Sequence, residues 1–186
     1  INKMYPGSIA ASYLNRTEIP ADYDVLCEVV RRRGQTRTCN DGLPNKTDAV
    51  VHLRTGDTTQ NIDNETLWGQ GSMPRTYGIL RKWGWTPAIV HTRPMAFFRQ
   101  VAADLPPSVR RVVLVGSDIH GGGGVHDGAH GYVQRVSRFF RGEGFAVAIR
   151  WNSTPDHDFV FMSHASVFIY SGGKFSYYIG ECVKLL

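Results

Sequence analysis

The sequence predicts an α/β fold, a parallel sheet flanked by helices, and three observations carry that prediction. Short apolar runs dense in Val, Ile and Phe recur at 48–54, 111–116, 145–150 and 166–170. Helical patterns separate them, so strand and helix alternate along the second half of the chain. The runs are nearly continuous in apolar residues, which suits strands covered on both faces. A chain of 186 residues buries roughly 70% of the surface its unfolded form exposes, enough for one self-sufficient core.

Taken in order, residues 22–33 (DYDVLCEVVRRR) place Tyr23, Leu26, Val29 and Val30 at helical spacing, and Gly34 is read as the stop. Residues 35–47 are turn-rich and read as a linker. The first strand, at 48–54, runs into Thr55-Gly56-Asp57, and a long polar, Gly-rich loop is expected over 58–78. A helix is expected at 94–104, with Pro94 in its first turn and Pro106-Pro107 as its stop. After the strand at 111–116 come a helix over 131–142 and the strand at 145–150. Asn152-Ser153-Thr154-Pro155-Asp156 then reads as a helix start, with Asn152 as the polar cap. That helix runs to about His164, and the strand at 166–170 leads through Ser171-Gly172-Gly173-Lys174 into a last helix from Phe175. The expected division is an N-terminal helical segment and linker over 1–47 and a sheet domain over 48–186.

Composition narrows the function classes. The chain carries 21 Lys+Arg against 16 Asp+Glu, a net charge of +5, but the basic residues form no single block. No aromatic-basic interleaving or nucleic-acid motif accompanies them, so nucleic acid is not an expected partner. Arg31-Arg32-Arg33 falls at the end of a helix, where cations suit the dipole. No apolar run reaches the ~18 residues of a membrane span, and the opening INKMYPGSIA has no signal-peptide pattern. Three cysteines, Cys27, Cys39 and Cys182, allow at most one bridge and no zinc module.

Ligands of open parallel sheets sit beyond the carboxyl ends of the strands, and three segments fall there. In HLRTGD, His52 and Arg54 point to one side of the strand. Arg54 offers a fork of donors matched to phosphate oxygens, Gly56 lets the backbone turn close to a ligand, and Asp57 can hold Arg54 in place. The same residues also suit a strand end closed by a local ion pair beside a core histidine. Gly172, Gly173 and Ser176, at a strand-to-helix turn, suit a phosphate cradle, or an ordinary turn. Asp158, in a first helical turn, is a dipole partner or an acceptor for the paired N–H groups of a guanine edge. The third segment holds Asp118, His120, the glycines 121–124, His126, Asp127 and His130. It fits a loop closing over a ligand, or an inert loop, better than a metal site, since a glycine run does not preorganise ligands.

Together these pieces resemble the GDP-fucose-dependent fucosyltransferases, the group containing the α-1,2-, α-1,6- and protein O-fucosyltransferases. HLRTGD (52–57) is similar to their first motif, His-x-Arg-x-x-Asp, with Thr55 where many members carry a second arginine. Val115-Gly116-Ser117-Asp118 looks like the middle motif, and DFVFMS (158–163), the strand at 166–170 and Lys174-Phe175-Ser176 look like the last. The likeness spans about 48–182. It implies a Rossmann-like sheet, the nucleotide-binding half of a GT-B glycosyltransferase, and inverting transfer of fucose from GDP-fucose to a glycan acceptor. It assigns the diphosphate to Arg54, the guanine to His52 and Asp158, and the phosphates to Ser176 and the Phe175 backbone. Asp118, Gly172 and Gly173 complete the donor site, Arg54 and Asp57 are the catalytic candidates, and no metal or other cofactor is required.

Two other readings remain open: a nucleotide- or glycan-binding domain without catalysis, and a metal-dependent hydrolase using the loop over 118–130. Four of the seven asparagines, Asn15, Asn45, Asn64 and Asn152, stand in N-x-Ser/Thr sequons, which points towards a Golgi or other secretory lumen. As a helix cap, Asn152 would be an incidental member of that set.

Overall fold

The computed structural model describes residues 23–35, 42–55, 92–118, 127–170 and 173–186. Over these, the elements run α1 (Tyr23–Gln35), β1 (Asp48–His52), α2 (Met95–Asp104), β2 (Arg111–Gly116), α3 (Asp127–Gly142), β3 (Ala146–Trp151), α4 (Pro155–Ser163), β4 (Val167–Ile169) and α5 (Gly173–Leu185). The four strands form one sheet in the order β3-β2-β1-β4, every pair parallel. This is the expected α/β architecture, a small Rossmann-like sheet. Among the described residues no helix is long and apolar enough to cross a membrane.

β1 has neighbours on both sides, and all five of its residues are buried. β3 and β4 are the two edges; β3 is only half-buried, whereas all three residues of β4 are buried. Side chains alternate across each strand, so Ala49, Val51, Val112 and Leu114 meet Phe98 and Val101 of α2 and Tyr132, Val136 and Phe140 of α3. Val50, Val113, Val115 and Phe168 meet Phe161 and Met162 of α4 and Ile179 and Val183 of α5 on the opposite face. The chain winds outward from β1 to β3 with helices on one face, then crosses back to β4 with helices on the other. The reversal lies between β1 and β4, the switch point where such sheets open a crevice at their carboxyl edge.

At the amino edge, Asp48 is buried and grips Arg111, its register partner on β2, through two bonds of 2.9 and 2.6 Å. Burial alone would raise its carboxyl, but Arg111 and the Asn45 N–H outweigh that and hold it below the ordinary range. α1 packs on α4 and α5 and is joined to α5 by the Cys27–Cys182 disulfide.

Several element limits differ from the sequence expectation for physical reasons. Gly34 does not stop α1, which continues to Gln35. A Cβ at Gly34 would lie 2.3 Å from His164 Nε2, so the glycine makes room for the residue that ends α4. The cap of α4 is Thr154, whose hydroxyl accepts from the His157 N–H, and not Asn152. Pro94 is the N-cap of α2, one residue ahead of the expected first turn. α3 and α5 begin earlier than expected, at Asp127 and Gly173. The loop expected at 58–78 lies outside the described residues.

Candidate functional site

A cleft of about 560 Å³ lies at the carboxyl edge of the sheet. Its walls come from the ends of β1 (His52, Leu53, Arg54, Thr55), β2 (Gly116, Ser117) and β3 (Asn152, Ser153), with Pro155, Asp158 and Met162 of α4 and Phe175 of α5. The first turns of α4 and α5 therefore both reach this space. Helix N-termini present unpaired N–H groups and a positive dipole end, which favours an anion.

His52 and Ser176 are buried, and Ser176 Oγ and His52 Nδ1 form a hydrogen bond that joins the end of β1 to the first turn of α5. Phe175 packs against the His52 ring with centroids 5.7 Å apart, and Phe159 flanks Phe175 at the same separation. Burial, and secondarily the neighbouring Arg54 cation, hold His52 down to about 3, so the imidazole is neutral at physiological pH. It acts in the cleft as a hydrogen-bonding group and not as a charge. Arg54, half-buried, supplies the cation of this wall.

Asp158 is buried and its Oδ1 accepts from Arg150 Nε at 2.7 Å. Arg150 Nη2 donates to Ser153 Oγ at 2.8 Å, and the guanidinium carbon lies 4.8 Å from the centre of the Phe161 ring. Burial pushes the Asp158 carboxyl up despite the arginine that favours its charged form. Thr55 is buried and bridges β1 to β2: its hydroxyl donates to the Ser117 carbonyl, and the Ser117 N–H lies 3.3 Å from the same oxygen. Asn152 has a left-handed backbone, φ 57°, a conformation Asn tolerates better than most residues. Its Oδ1 accepts from Ser117 Oγ at 2.9 Å and from the Asp118 N–H at 3.1 Å, tying the end of β3 to that of β2. Asp118 is buried beside it, and its Oδ1 has no hydrogen-bond partner among the described residues.

The structure thus gathers His52, Arg54, Asp158 and Phe175 around one cleft, with Asp118 next to its Ser117 wall. Gly173 begins α5, and Ser176 stands behind His52 rather than on the cleft wall. Asp57, Gly172 and the loop histidines His120 and His126 lie outside the described residues, as does the Lys174 side chain. Among the described residues no three His, Cys, Asp or Glu side chains come together as a metal site. Two contributors escaped the sequence reading. Arg150 gave no local signal, because its partner is on the next helix. Asn152 has the chemistry of a helix cap, but its side chain ties β2 to β3 instead. No family model, curated protein or solved structure matches the chain.

Proposed function

We propose that this chain is the donor-binding domain of a glycosyltransferase that takes a GDP-sugar, GDP-fucose by resemblance, and transfers the sugar to a glycan with inversion. The observation that carries the reading is the His52–Ser176 hydrogen bond, which unites the first and last of the resembling motifs at the wall that bears Arg54. Arg54 and the first turns of α4 and α5 suit a diphosphate. Neutral His52, oriented by Ser176, and the Asp158 carboxylate, oriented by Arg150, suit the edge of a guanine. Ser176 is thereby a positioning residue, and Phe175 is the member of its turn that meets the ligand.

In such a transfer the sugar–phosphate bond breaks through an oxocarbenium-like state, and negative charge grows on the departing GDP. Arg54 would offset that charge in a site partly shielded from water, the main catalytic contribution on this reading. The acceptor hydroxyl must lose its proton, and Asp118, with an unsatisfied buried oxygen at the cleft rim, and Asp57 are the candidates for taking it. The test is incubation with GDP-fucose and a glycan panel, reading GDP release and the fucosylated product by mass spectrometry. GDP binding with no product from any acceptor would favour a binding domain without catalysis.

A further inference from the structure

Arg93 is a charge that the donor cleft does not use. It is 8% exposed, its Nε has no hydrogen-bond partner, and no carboxylate pairs with it among the described residues. Its backbone is fixed: the Arg93 N–H donates to Tyr132 Oη at 3.2 Å, and Tyr132 donates back to the Arg93 carbonyl at 2.8 Å. Its guanidinium carbon lies 5.2 Å from the centre of the Phe97 ring, in the first turn of α2. That ten-residue helix has no side-chain cap and no acidic residue in its first turn.

Two positive features, a guanidinium and a helix N-terminus, therefore meet in a dry place, and no negative group among the described residues offsets them. A desolvated, unpaired charge is unfavourable, and one aromatic face compensates only part of that cost. Burial accordingly pulls the Arg93 guanidinium below its ordinary range, while Tyr132 and Tyr170 act the other way. The position is equally telling. Tyr170 follows β4, and the hydroxyl of the buried Thr92 lies 3.4 Å from the Arg54 carbonyl, just past β1. Arg93 thus stands at the β1–β4 reversal of strand order, where open α/β sheets take ligands. It approaches from the α2–α3 face and is not among the residues lining the Arg54 cleft.

We propose that Arg93 and the first turn of α2 form a second anion subsite at this crevice, one that takes the carboxylate or sulfate ester of an acidic sugar. The sugar identity rests on the glycosyltransferase reading, with the acidic group carried by the acceptor. The anion subsite stands on its own observations. A guanidinium fork suits either oxyanion by paired hydrogen bonds.

The experiment is titration of the full chain with D-glucuronate and with inorganic sulfate, each with and without saturating GDP, for wild type, Arg93→Met and Arg93→Lys. The expected result is that wild type binds at least one of the two anions equally well with and without GDP. Arg93→Met then weakens that anion at least tenfold, Arg93→Lys weakens it less, and GDP affinity stays within twofold. The inference is overturned if wild type binds neither anion, if GDP displaces them, or if Arg93→Met binds them as wild type does. GDP displacement would assign Arg93 to the donor phosphates. A chain that binds glucuronate but no GDP would sink the donor reading and leave the subsite intact, so the two failures are distinguishable. Should circular dichroism show Arg93→Met unfolded, Arg93→Lys and anion protection of wild type against thermal unfolding supply the reading. Equal melting temperatures in sulfate and in chloride at matched ionic strength would then count against the subsite.

Discussion

Acidification from pH 7.5 to 5 should weaken this fold through one residue, His52. An imidazole in the unfolded chain titrates near 6.5, whereas burial and Arg54 hold His52 down to about 3 in the fold. Above pH 6.5 both states are neutral and the residue has no effect on the pH dependence. Between about 6.5 and 3 the unfolded chain takes up a proton that the folded chain refuses, so stability falls as pH falls. At pH 5, some 1.5 units below the unfolded value, the loss is about 2 kcal/mol, at about 1.4 kcal/mol per unit. For a chain of this size that lowers the melting temperature by roughly 4–8 °C. Asp158, whose carboxyl is raised by burial, works in the opposite direction. The clean reading is therefore a difference. His52→Asn keeps a polar atom near the Nδ1 position that meets Ser176 and abolishes the titration. Urea unfolding at pH 7.5 and 5.0 should show wild type losing about 2 kcal/mol more than His52→Asn over that interval. Equal losses in the two proteins would refute the argument that His52 is held neutral by burial.

Three further perturbations test the scaffold. Gly116→Ala would place a Cβ 2.7 Å from Trp151 Cζ3 and 3.1 Å from the Leu53 carbonyl. Since a backbone oxygen has little room to move, denaturant titration should show a loss of about 1–3 kcal/mol. Cys182→Ser removes a bridge that spans 155 residues and should cost about 2–5 kcal/mol; excess reductant should bring wild type to the same melting temperature and leave the variant unmoved. Arg150→Met leaves the buried Asp158 carboxylate without its cation and should cost about 3–5 kcal/mol, most of which Asp158→Leu in the same chain should restore.

The sheet was legible because each strand announces itself locally: β1 and β2 are apolar on both faces, and the helices between strands carry caps or periodic faces of their own. What escaped the sequence was set by contacts between distant residues. Gly34 has the chemistry of a helix stop and is instead a gap left for His164, 130 positions away. Three cysteines do not state which two pair, and the bridge runs from α1 to α5. At the site, the residue types on the cleft wall were readable, but their pairings were not. Asp158 reads as an open acceptor until Arg150 is seen against it, and no spacing shows that the Ser176 hydroxyl meets His52. Thr55 stands where the resembling family often has arginine and instead bonds β1 to β2. Asp118 Oδ1 finds no partner among the described residues, a feature no spacing rule foretells.

Calorimetric titration of the full chain with GDP and UDP, with and without EDTA, for wild type and Arg54→Ala, tests the donor cleft most directly. GDP is expected to bind, UDP to bind at least tenfold more weakly, and EDTA to change neither. Arg54→Ala should lose at least tenfold in GDP affinity, about 1.4 kcal/mol or more. A folded wild-type chain that binds no guanine nucleotide, or an Arg54→Ala chain that binds GDP as wild type does, would contradict the donor-cleft reading.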